Sequence, residues 1–223
     1  ADLLSGGTVD GDGATDTLAL ATGGATLDLS STTLTSVEVI AGNAVANTIT
    51  INQADLLSGG TVEGAGATDT LVLVSSETTL DLSSTTLTSV EVILGNANAN
   101  TITVDQADLL SGGTVDGGAA SDTLALATGG ATLDLSSTTL TSVEVIAGNA
   151  VANTITVNQT DLLSGGTVDG GAAADTLALV SSETTLDLSS TTLSSVEVIL
   201  GNANANTITV NQADLLSGGT VDG

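Results

Sequence analysis

The chain has 223 residues, of which 26 are Asp or Glu and none is Lys, Arg or His, so its formal charge of −26 has no internal counterion. Phosphate backbones and anionic lipid surfaces repel such a chain, which argues against nucleic-acid partners and membrane insertion and leaves divalent cations and cationic protein patches. Cys, Met, Pro, Phe, Trp and Tyr are all missing while 41% of residues are hydrophobic, so the core is expected to be a narrow stack of aliphatic side chains rather than a round globule or a disordered tail.

No apolar run approaches the roughly 18 residues of a membrane span. The start carries no charged and apolar leader, and the sequence reads as an excerpt from a longer chain. The segment ADLLSGG begins at Ala1, Ala54 and Ala107, returns as TDLLSGG at Thr160, and begins again at Ala213. This divides the chain into repeats 1–53, 54–106, 107–159 and 160–212 with a partial copy at 213–223. Repeats one and three differ at four positions and repeats one and two at twelve, so the true unit is an alternating pair of repeats, 1–106. One continuous repeat array is expected.

Each repeat reads the pattern G-x-x-x-x-[DN]-T-[LI]-x-[LI] twice, as GDGATDTLAL from Gly11 and GNAVANTITI from Gly42. Along the chain, apolar and polar residues alternate over Thr17–Leu20, Thr26–Leu29 and Val37–Val39. They do so again over Thr48–Ile51, Asp55–Leu57 and Thr61–Glu63. Period-two alternation rich in Thr, Val and Ile predicts strands with one buried face. Gly6-Gly7, Gly23-Gly24, Ser30-Ser31 and Gly42-Asn43 mark turns between them. The fold class is therefore all-β, and the arrangement expected is a parallel β-solenoid (β-helix) with about two coils per repeat. The general crossover rule favours a right-handed coil. A different cutting gives three shorter β-roll-like coils per repeat, split after Gly23, Gly42 and Gly59.

In the two-coil arrangement Asp16, Asn47, Asp69, Asn100, Asp122, Asn153, Asp175 and Asn206 are expected to form one ladder. Thr17, Thr48, Thr70 and Thr101 would run beside it. Alternating Asn with Asp spaces the carboxylates by about two strand separations, roughly 9.6 Å.

The stretches GGAASDTLA (Gly117–Ala125) and GGAAADTLA (Gly170–Ala178) resemble the calcium-binding nonapeptide GGxGxDxUx of RTX proteins, with Ala in place of the fourth-position Gly. LDLSSTTLTSVEVI (Leu27–Ile40) and ANTITVNQADLLSGGTVDG (Ala205–Gly223) are similar to repeats of very large secreted bacterial surface proteins and adhesins. The resemblance implies a β-solenoid exported to the cell surface or beyond. It also marks Asp10, Asp12, Asp16, Asp69, Asp116, Asp122, Asp169 and Asp175 as calcium candidates. In an RTX roll the nonapeptide recurs every half-turn; here it occurs once per repeat, and calcium needs six to eight oxygen ligands. No cofactor is therefore expected to be required, and solvated acidic turns are the plainer reading.

Catalysis finds no support in the residue types. Asp28 and Glu38 form a carboxylate pair by type, but both alternate outward from apolar strands, and the pair recurs in every repeat. No His or Lys is present to activate a Ser. The Thr-x-Thr elements, such as Thr48/Thr50, suggest an ice-binding array as a minor alternative. The expected function is a structural module of a long extracellular fibre, stalk or adhesin that associates with itself end to end. The identity of Ala1–Gly11 and Ala213–Gly223 supports that expectation, and a calcium-dependent RTX-type adhesin segment is the alternative.

Overall fold

The computed structural model describes residues 5–223; the first four residues of the opening ADLLSGG lie outside the described part. The chain is an all-β parallel solenoid. Its first repeat supplies strands β1 (Thr8–Asp10), β2 (Thr17–Ala19), β3 (Thr26–Asp28), β4 (Thr33–Thr35), β5 (Val39–Asn43) and β6 (Thr48–Ile51). A 3₁₀ turn, Gln53–Asp55, follows, and β7 (Thr61–Ala65) reopens the pattern. The later repeats carry the same succession, giving 25 strands and four 3₁₀ turns among the described residues.

All pairing is parallel and joins each segment to the one three places later. Thr17 pairs with Val39, Thr26 with Thr48 and Val39 with Thr61, while Thr8 pairs with Thr33. Three segments therefore make one turn, and the rod has three sides. The 3₁₀ turn occupies a side of its own: it packs on β4 below and on the strand Thr79–Asp81 above. Because it forms no ladder, it divides each side of the rod into two hydrogen-bonded sheets, which accounts for the six sheets observed.

Each repeat thus contributes seven sides to a rod that uses three per turn. The expectation of about two coils per repeat holds, and the count is two and one-third. At roughly 4.8 Å per turn, the ten or so turns make a rod about 48 Å long. Each repeat is also rotated by a third of a turn from its predecessor, so every face of the rod cycles through the same seven segments in the same order.

Two local readings change. Alternation predicts a strand over Asp55–Leu57; Asp55 instead ends the 3₁₀ turn, with its carboxylate accepting the N–H of Asn52 at 2.8 Å. Thr33–Thr35 forms a strand that the six-strand reading lacks, although Thr-Leu-Thr has the same alternation.

The core sits along the axis. Ile49, Leu71 and Ile93 stack in register on successive turns and are each at most 2% exposed. Short sides of three to five residues enclose a channel only wide enough for Val, Leu and Ile, which explains how a chain without aromatics closes its interior. At about 25 cal/mol per Å² of apolar area removed from water, each such aliphatic side chain contributes on the order of 1.5–3 kcal/mol before entropy is counted.

Candidate functional site

The Asp and Asn residues expected in one ladder do not form one. Asp16 lies one turn below Glu38, to which Asn47 is not stacked; Asn47 lies one turn below Asp69, which lies one turn below Glu91. The shorter of the two expected spacings, Asn47 to Asp69, is a true stacking step. The longer, Asp16 to Asn47, is a turn plus one further side. The Thr ladder changes likewise: Thr26, Thr48 and Thr70 stack, whereas Thr17 meets Val39.

What the structure assembles is a three-rung column of Asn, Asp and Glu. The Oδ1 of Asp69 accepts the backbone N–H of Asn47 at 2.7 Å, and Oε2 of Glu91 accepts the backbone N–H of Asp69 at 2.8 Å. Asn100, Asp122 and Glu144 repeat this, as do Asn153, Asp175 and Glu197. At the foot of the column Asn47 Oδ1 accepts from the N–H of Asn43, and Asn47 Nδ2 donates to the carbonyl of Gly24. These side chains take over where the backbone leaves the ladder at a corner. Ser36, Ser89, Ser142 and Ser195, at φ values of 50–52°, turn the chain there in the left-handed region. Glu38, expected to point outward, is part-buried and bonds to Asp16 N–H along the rod axis.

Asp69, Asp122 and Asp175 are buried, and the carboxyl pKa of each lies above the usual range. Burial is the largest cause; the Asn N–H opposes it, and the negative Glu one turn above adds to it. A second buried carboxylate belongs to the 3₁₀ side. Asp55, Asp108, Asp161 and Asp214 each accept the N–H three residues earlier, and Asp214 also accepts from Leu193. The carboxylate thereby replaces a missing ladder carbonyl. Burial raises Asp55 and pushes Asp108 and Asp161 up to about 6.

The calcium candidates fall into two geometric groups. Asp10 ends its strand while Asp116 and Asp169 lie in the middle of Thr114–Gly118 and Thr167–Gly171, and each accepts the N–H two residues later, which belongs to Asp12, Gly118 and Gly171 respectively. Asp12 takes a positive-φ turn position that Ala65, Gly118 and Gly171 occupy in the other repeats. Asp16, Asp69, Asp122 and Asp175 instead face the column. Among the described residues no three Asp, Glu, His or Cys side chains converge as a metal-holding group.

Concavities are small. A crevice of about 170 Å³ open to solvent, lined by Glu38, Asp55, Leu57 and Thr85 among others, recurs at Glu91 and Asp108 and, at about 160 Å³, at Glu144 and Asp161, and admits little more than a water molecule. The buried hydroxyl of Thr85, which has no protein partner, lies in its wall. No helix among the described residues is long and apolar enough to cross a membrane. Comparison with known proteins finds no matching family model, no similar curated protein and no similar solved structure.

Proposed function

We propose that this chain is a structural module: a stiff, acidic rod from a long extracellular bacterial fibre, stalk or adhesin, prolonged by further repeats or by end-to-end association of copies. The observation that carries this reading is the mismatch of seven sides per repeat with three per turn. It makes each repeat a screw-related copy of the last, so the rod can be lengthened by any number of repeats with the same contacts. It also spreads every side chain type over all three faces. The Thr-x-Thr strands starting at Thr48, Thr101 and Thr154 lie on three different faces, an arrangement that favours an all-round solvated surface over a flat ice-binding array. The charge of −26 keeps neighbouring rods apart sideways except where salt or divalent cations screen it. The likeness to RTX and large surface-protein repeats supports the extracellular setting.

The test is solution X-ray scattering of chains with four, six and eight repeats, in excess chelator and in calcium. A rod of constant cross-section, lengthening by about 11 Å per added repeat in both conditions, supports the module reading. A fold present only in calcium would transfer the reading to a calcium-dependent adhesin segment.

A further inference from the structure

Three carboxyl groups of the column are enclosed and only half satisfied. Asp69, Asp122 and Asp175 are each at most 1% exposed. Their Oδ1 atoms accept the N–H of Asn47, Asn100 and Asn153, while their Oδ2 atoms are buried without a hydrogen-bond partner.

No donor reaches Oδ2 within hydrogen-bond distance, and a backbone carbonyl lies close by. A β-carbon placed on Gly64 would collide with the carbonyl oxygen of Ser89 and lie 2.6 Å from Asp69 Oδ2. On Gly170 it would collide with the Ser195 carbonyl and lie 2.8 Å from Asp175 Oδ2. On Gly117 it would collide with the Ser142 carbonyl and lie 2.8 Å from the carboxyl carbon of Asp122. A carboxylate oxygen and a backbone carbonyl oxygen thus converge beside a bare glycine Cα. Two such acceptors repel unless one of them carries hydrogen.

Charge points the same way. Glu91, Glu144 and Glu197 place a second carboxylate one turn above each Asp, and Asp116 and Asp169 add a third negative group beside Asp122 and Asp175. The chain has no side-chain cation to offset them. A calcium ion needs six or more oxygens at about 2.3–2.6 Å, and among the described residues no three acidic side chains converge here to supply them. A proton needs no such set.

We propose that Asp69, Asp122 and Asp175 are proton-binding sites, each holding a proton from solvent on Oδ2 and donating it to the carbonyl of Ser89, Ser142 or Ser195. The Asn rungs show the contrast: at the matching glycines the atoms are Oδ1 of Asn47, Asn100 and Asn153, and each accepts a backbone N–H from four residues earlier, a donor that Oδ2 of Asp69, Asp122 and Asp175 lacks. The upward pKa direction at all three Asp residues, caused first by burial, agrees with this. The rod therefore takes up protons when it folds and is tightened by mild acid, at sites that wind around the three faces.

The full chain, labelled with ¹³C at aspartate carboxyls, is titrated by NMR, with D69N, D122N and D175N assigning the resonances. The three carboxyls so assigned are expected to titrate above the ordinary Asp midpoint of about 3.9, separately from those of Asp55, Asp108 and Asp161 on the 3₁₀ side; midpoints of the assigned three at or below it overturn the proposal, as do midpoints that shift when calcium replaces chelator. The triple variant D69N/D122N/D175N provides a second readout. It should melt at or above the wild-type temperature at pH 7.5 and lose part of the rise that the wild type shows between pH 7.5 and 5. A triple variant that is unfolded or less stable at pH 7.5, or that keeps the full rise, overturns it.

Discussion

The carboxylate of Glu91 accepts the backbone N–H of Asp69 at 2.8 Å, tying together two residues 22 positions and one turn apart. The same bond recurs from Glu38 to Asp16, Glu144 to Asp122 and Glu197 to Asp175. It seals a corner at which the backbone ladder is interrupted, and it sets a negative charge beside a buried acid.

E91A and E91Q separate those two effects. E91A leaves the N–H of Asp69 without its acceptor and should cost about 1–3 kcal/mol. E91Q retains an oxygen for that N–H and removes the like charge, so its loss should be well under that of E91A. Urea unfolding at pH 7.5 measures both. Equal losses would show that the charge, not the hydrogen bond, holds the corner.

The 3₁₀ side makes stability depend on pH with a definite sign. The folded pKa values of Asp108 and Asp161, at about 6, exceed the unfolded value of about 3.9. The folded chain therefore binds more protons between those values, and stability falls as pH rises through that window and levels off above it. Asp28 and Asp187 shift downward through hydrogen bonds from Ser30 and Ser189, but both are exposed and oppose this little. Circular dichroism melts at pH 4.5 and 7.5 should give the higher melting temperature at pH 4.5.

Glycines that share the Gly-rich pattern differ in what they permit. G64A drives a β-carbon into the Ser89 carbonyl and against Asp69, and should cost about 3 kcal/mol or more through overpacking at a buried corner. At Gly66 the nearest atom to such a carbon is 3.6 Å away, and Ala119 and Ala172 already stand at that position in later repeats. G66A should be neutral or stabilise by up to about 1 kcal/mol. Thermal melts of both variants check the contrast.

Deletions test the register of seven sides against three. Removing residues 54–106 takes out one whole repeat and keeps every type of rung-to-rung contact, so the shortened chain should still melt cooperatively as a β protein. Removing residues 61–82 takes out about one turn, including Asp69, and would bring Asn47 beneath Glu91. That chain should melt at a clearly lower temperature although it loses fewer residues. If the two deletions reverse in order, the repeat is not the unit of stacking.

Much of this was legible in the residues. Alternating Thr, Leu and Ile placed most strands, the missing aromatics implied a narrow aliphatic core, and the interval from Asn47 to Asp69 is a true stacking step. The burial of that Asp and the Asn–Asp–Glu column were not legible. Glu91 differs in type from Asp69, and similarity between Asp16 and Asn47 suggested a contact that does not form. Parallel ladder bonds join backbone to backbone, so they do not require like residues to stack. Which residues meet is set by how much chain is needed to close three sides around the core. That circumference is the 22 positions that separate Asn47 from Asp69. It does not divide the repeat evenly, and only the closed turn decides it.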